Sequence, residues 1–227
     1  MRIAVLAVCS MVACLAYAGT AEIVGYSGGG NGVYSVPVTS IKEARFKTTV
    51  SQHYDYSCGS AALATLLTHH YNFPVNEQQV FRAMYERGDQ QKIRREGFSM
   101  LDMKSYLQAN GFEGNGYRAP LDVLADANRP AIALIQDNGY HHFVVVKGLR
   151  DKDVLIGDPA MGSRVIPRQK FETMWKNRIL FVVVNKGGAA FNTTFDWRAQ
   201  KKAPLESAIS RDSLVNGTLL RRGPMDF

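Results

Sequence analysis

Ser57-Cys58-Gly59-Ser60-Ala61-Ala62-Leu63-Ala64-Thr65-Leu66-Leu67-Thr68-His69-His70-Tyr71 is the stretch on which the fold turns. It is rich in alanine and leucine, which predicts a helix from Ser57 to Tyr71, with Asp55 or Ser57 placed to cap its start. Cys58 then sits where a helix offers unsatisfied amide donors and a partial positive charge, a setting that favours a thiolate. Gly59 and Ser60 are small, which predicts an uncrowded approach for a substrate carbonyl.

Two more helices follow. Asn76 opens one, with Val80, Phe81 and Met84 on one side. Ser99 opens another, with Asp102 in the capping-box position, Phe98 and Met103 as a staple, and Asn110-Gly111 as its stop. The pattern then turns to strands. Ala131 to Gln136 is apolar, Asp137-Asn138-Gly139 is a turn signal, and His142 to Lys147 is a second apolar run. Val154 to Gly157, Ser163 to Ile166 and Ile179 to Val184 complete a predicted antiparallel sheet, with a short helix from Arg168 to Trp175 before the last strand. Helices first and strands afterwards predict an α+β domain, a helical lobe packed against a sheet lobe with a cleft between.

A nucleophilic thiol needs a base within hydrogen-bond reach, and the base needs an orienting partner. His142 begins a strand and Asp158 ends the next one. Antiparallel neighbours bring such positions side by side. His141 competes for the role of base. Adjacent strand residues face opposite sides, so only one of the two can point into the cleft, and periodicity leaves the choice open. Read as metal ligands, His141-His142 and His69-His70 chelate poorly for the same reason, and no metal or other cofactor is expected. Gln52, six residues before Cys58, could offer a side-chain amide to an oxyanion, although an isolated glutamine is ordinarily a loop residue.

Residues 1–18 read as a secretory signal peptide: a basic start at Arg2, an apolar run from Ile3 to Leu15, and Ala16-Tyr17-Ala18 before Gly19. Of the three cysteines, Cys9 and Cys14 leave with it, so Cys58 remains alone. Exported proteins ordinarily use cysteines in disulfide pairs, and an unpaired thiol there calls for a task of its own. The formal net charge of +7 is spread over short clusters such as Lys92-Ile93-Arg94-Arg95, which read as solvated faces. No nucleic-acid partner is expected, and no other segment is long and apolar enough to span a bilayer. Residues 19–44, with glycines at 28–30 and 32, read as an extended lead-in, residues 45–185 as the folded domain, and residues 186–227 as a basic tail.

Gln52-His53-Tyr54-Asp55-Tyr56-Ser57-Cys58-Gly59-Ser60-Ala61-Ala62-Leu63 resembles the N-terminal motif of the bacteriocin-processing, double-glycine leader peptidases. His142-Phe143-Val144-Val145, followed by Asp158-Pro159 and Gly162, resembles their second motif. Gly97-Phe98-Ser99, Leu107, Gly111 and Phe171 to Trp175 also match, so the similarity covers about residues 46 to 185. The resemblance implies a papain-like cysteine peptidase fold, with Cys58 as nucleophile, His142 rather than His141 as base, Asp158 as orienter and Gln52 as oxyanion donor. Ser57 departs from the aspartate common before the cysteine. Many relatives are domains of ABC transporters, whereas this sequence is more similar to the stand-alone periplasmic members associated with functional-amyloid secretion. The implied activity is a periplasmic endopeptidase acting on an exported polypeptide after a Gly-Gly type site, with secretion or amyloid-assembly components as partners. Two alternatives use the same scaffold: a non-catalytic binder or chaperone of a secreted polypeptide, and acyl transfer to an amine.

Overall fold

A computed structural model describes residues 20–27, 30–137, 139–187 and 189–199. The signal-peptide expectation and most of the basic tail lie outside these residues. Two compact units divide at Ala44 and Arg45.

In the first unit, the stretch expected as an extended lead-in folds back on itself. Strands β1 (Thr20–Ser27) and β2 (Gly30–Pro37) pair antiparallel from Thr20 opposite Pro37 to Ser27 opposite Gly30. The register sets residues of high strand propensity opposite one another, such as Ile23 with Tyr34 and Val24 with Val33. Helix α1 (Ile41–Phe46) follows.

The second unit, from Arg45, takes in the end of α1 and then helices α2 (Cys58–His70), α3 (Glu77–Arg87), α4 (Gln90–Glu96) and α5 (Met100–Ala109). Cys58 to Leu67 of helix α2 are all buried, so this stretch presents no face to solvent. Asn76 with Gln79 and Ser99 with Asp102 form the capping boxes of α3 and α5, and Gly111 follows α5 at φ +75°. The expected side-chain cap of α2 is absent. Ser57 occupies the cap position, but its hydroxyl bonds Tyr54 in the preceding turn and leaves the first α2 amides unfilled. The basic cluster at residues 92–95 belongs to α4, which buries Ile93 and is capped by Asp89.

Next come β3 (Gly114–Arg118), the short helix α6 (Asp122–Asp126), β4 (Ala131–Asp137), β5 (Tyr140–Leu149), β6 (Asp153–Asp158), β7 (Gly162–Pro167), α7 (Arg168–Met174) and β8 (Ile179–Val183). The six strands pair antiparallel in the order β3-β8-β4-β5-β6-β7. The expected turn joins β4 to β5, with Asp137 opposite Tyr140 and Gly139 at φ +88°. Alternation along β5 serves two cores. Phe143 and Val145 pack with Leu63, Leu66 and Leu67 of α2, while Val144 and Val146 pack with Leu124, Phe171 and Trp175. This is the α+β architecture expected from the pattern, with smaller helices added on the far face of the sheet.

Packed chain continues past residue 185, into the stretch expected as a basic tail. Helix α8 (Thr194–Ala199) and the strap before it pack onto the sheet, burying Phe191, Asp196 and Trp197. Asn192 donates its amide to the Lys147 carbonyl at 2.8 Å, and Arg150 lies over the Trp197 ring, 3.9 Å from its centroid.

Candidate active site

Cys58 is the first residue of α2 and is 7% exposed. It opens onto a cleft of about 860 Å³ between the two halves. Tyr56, Gly97 and Phe98 line the helical side, and Leu134, Gly139, Tyr140, His141 and Phe143 line the sheet side. Gly59 does not widen this cleft, contrary to the sequence expectation. A Cβ there would stand 2.9 Å from Phe98 Cβ and 3.1 Å from Met103 Cε, so the glycine lets α2 sit tightly against the start of α5. Ser60 is likewise engaged, donating to the Ser57 carbonyl at 2.8 Å and to the buried Glu77 carboxylate at 3.0 Å.

His142 stands near the start of β5 and Asp158 at the end of the neighbouring antiparallel β6, as their places in the sequence require. His142 Nε2 lies 2.8 Å from Asp158 Oδ1. Cys58 is near enough to the same ring to help raise its pKa. Burial alone would lower the pKa of His142. The Asp158 hydrogen bond and charge, together with the nearby Cys58, outweigh it and push the pKa up to about 9. Asp158 is 1% exposed. Burial would raise its pKa, yet the His142 bond, the charges of His142 and Arg164, and the Ala160 amide together hold it below the usual carboxylate range.

The two histidines at the start of β5 have different positions. His142 faces Asp158 and Cys58, while His141 is exposed and forms part of the cleft wall. Gln52 reaches the site through its backbone, donating its amide to the Pro159 carbonyl at 3.0 Å, just after Asp158. Its side-chain Nε2 donates to the Tyr54 carbonyl at 3.1 Å, which occupies one of its two hydrogens. The structure therefore bonds His142 to Asp158 and sets Cys58 near the same ring, with Gln52 alongside. Among the described residues, no group of three or more histidine, cysteine, aspartate or glutamate side chains is placed to hold a metal.

Three features of this region carry no recognisable sequence signal. Arg164 grips Asp158, His53 meets the buried Glu77 at 3.0 Å beside Gln52, and α4 supplies Arg94 and Arg95 to the cleft rim. Each depends on pairings across the fold.

Residues 47–187 match the model of the peptidase C39 family. The chain belongs to this family. It is 39% identical over 196 residues to the probable functional amyloid protease FapD of Pseudomonas fluorescens, covering 86% of this chain and 85% of that one. The protein of the same description from Pseudomonas aeruginosa PAO1 is 41% identical over 158 residues, covering 70% of each. The fold is also that of the peptidase domain of Streptococcus ComA, a bifunctional ABC transporter of a quorum-sensing pathway, with a TM-score of 0.52 at 19% identity over 61% of this chain and 98% of that one. The chain is thus a papain-like cysteine peptidase of the C39 family, and among its described residues no helix is long and apolar enough to cross a membrane.

Proposed function

We propose that this C39 peptidase works in the periplasm, where it cleaves an exported polypeptide after a Gly-Gly type site in a functional-amyloid secretion pathway. Its catalytic residues in this reading are Cys58, His142 and Asp158, with Gln52 as oxyanion donor. The observation that carries the assignment is the 2.8 Å contact of His142 with Asp158, with Cys58, which lines the cleft, near the same ring. The amyloid pathway is supported by the names of the two Pseudomonas relatives. Export is supported by the signal-peptide pattern of residues 1–18. The Gly-Gly preference rests on the leader-peptidase resemblance, and the bulky Phe98 and Phe143 beside Cys58 are in keeping with a subsite for small residues.

The reaction then runs in two stages. The Cys58 thiolate attacks the scissile carbonyl carbon. The developing oxyanion accepts from the Cys58 amide, which has no intrahelical partner, and from the free hydrogen of Gln52 Nε2. The imidazolium of His142 gives its proton to the leaving amine as the C–N bond breaks, and an acyl-enzyme remains. Water, deprotonated by His142, attacks the thioester and releases the carboxylate product and the thiolate. Asp158 holds the ring and stabilises its cationic form throughout.

The test is a comparison of exported-protein N-termini in cells carrying the wild-type chain or Cys58→Ala. The expected result is an N-terminus following Gly-Gly that vanishes in the variant. Identical N-termini in both would overturn the reading.

A further inference from the structure

The Asp158 carboxylate uses its two oxygens for separate tasks. Oδ1 accepts from His142 Nε2 at 2.8 Å and from the Ala160 and Met161 amides at 2.9 and 3.2 Å. Oδ2, among the described residues, is held by Arg164 alone, through Nε at 3.0 Å and Nη2 at 2.8 Å. Arg164 stands on β7, opposite Ile156 in the register that also sets Asp158 opposite Gly162. The same Nη2 reaches Asp137 Oδ2 at 3.3 Å. Asp137 ends β4, immediately before the turn that brings Gly139, Tyr140 and His141 to the cleft wall.

We propose that Arg164 is a positioning residue of the peptidase: its guanidinium fixes the plane of the Asp158 carboxylate, so that Oδ1 faces His142, and ties that carboxylate through Asp137 to the turn forming the cleft wall. Arg164 acts through Asp158. An aspartate carboxylate turns about χ2 in a broad, two-fold well, so nothing in its own bonds dictates which oxygen meets the imidazole. The two backbone amides converge on Oδ1 and leave the plane free to tilt. Two nitrogens of a rigid guanidinium on Oδ2 remove that freedom, which a lysine point charge does only in part. The inference rests on the thiol-peptidase reading, because Asp158 needs a fixed aim only if it orients His142 for catalysis.

The experiment uses the full chain as exported, acyl-Gly-Gly-aminomethylcoumarin as probe, and the variants Arg164→Gln and Arg164→Lys. A mis-set catalytic group costs about 10²-fold in rate. Arg164→Gln is expected to lower kcat by about 10- to 100-fold with KM changed less than about two-fold, and Arg164→Lys to recover part of the loss. The second readout is exchange of the His142 Nε2 proton with water, followed by NMR in a Cys58→Ala background. Arg164→Gln is expected to speed this exchange by about ten-fold, and Arg164→Lys by less. A folded Arg164→Gln variant with wild-type kcat and unchanged exchange overturns the proposal. So does a loss that follows thermal stability alone and that lysine fails to relieve. If the wild-type chain cleaves nothing, the peptidase reading falls, and the exchange measurement still decides the role of Arg164.

Discussion

The Lys147 ammonium lies 2.7 Å from the Asp196 carboxylate, joining the C-terminal part of β5 to a helix beyond the last strand. Lys147 is fully buried, and it also donates to the Thr48 carbonyl at 2.9 Å. A charge shut from water this completely requires its partner, because removing one member leaves the other uncompensated. Asp196→Ala should therefore destabilise the fold by about 3–5 kcal/mol, read from urea unfolding, while Lys147→Met with Asp196→Leu should cost much less. An equal cost for the single and double variants would show that the strap is held by packing alone.

His70 sets the acid side of stability. Burial, with Lys147 nearby, overcomes the bond to the Ala190 carbonyl and pushes its pKa down to about 4. Its Nδ1 donates to that carbonyl and its Nε2 is buried without a partner among the described residues, so the folded state holds the neutral ring. The unfolded chain takes up the proton near its ordinary 6.5, and stability is lost as pH falls from there through about 4. The penalty is about 2 kcal/mol at pH 5. Unfolding at pH 7 and pH 5 should show wild type losing about that much more than His70→Gln.

His142 has the opposite sign. Its folded pKa is raised to about 9, so its contribution is fully present below about 6.5 and fades as pH rises through 9. Because the imidazolium is the acid that protonates the leaving amine, the alkaline limb of cleavage should fall near pH 9. Asp158→Asn removes the carboxylate that favours the cation. It should shift this limb to lower pH and reduce kcat by about 10²-fold or more, as measured from pH–rate profiles.

Gly59→Ala should also be costly. The new methyl meets Phe98 Cβ, which cannot swing aside, and Met103 Cε, which can. Overpacking of this kind costs about 1–3 kcal/mol, and it displaces the residue next to the thiol. A lowered Tm together with lost cleavage is expected, and an unchanged Tm would mean that α2 shifts freely.

Local signals made much of this molecule legible from sequence. The capping boxes at Asn76 and Ser99, the turn at Gly139 and the β5 alternation each depend on a few neighbouring residues, and each was found in place. The meeting of His142 with Asp158 could be read because antiparallel pairing converts sequence order into proximity. The two histidines could not be separated by alternation alone, since each faces a functional surface. The strap through Asn192 and Trp197 carries no periodic signal, because single contacts hold it: Asn192 hydrogen-bonds the Lys147 and Leu149 carbonyls, and Arg150 lies over the Trp197 ring. Arg164 carried no signal, because its value lies wholly in where β7 sets it. Ser57 misled for a physical reason: its hydroxyl satisfies the turn at Tyr54 instead of the helix it precedes.

The most direct test of the central claim is intact-mass analysis of the protein after treatment with a Gly-Gly peptidyl chloromethyl ketone, with the modified residue mapped. The account predicts one adduct, on Cys58, formed about 10²-fold more slowly in His142→Ala and Asp158→Asn. An adduct that forms equally fast in all three proteins, or none on Cys58, would contradict it.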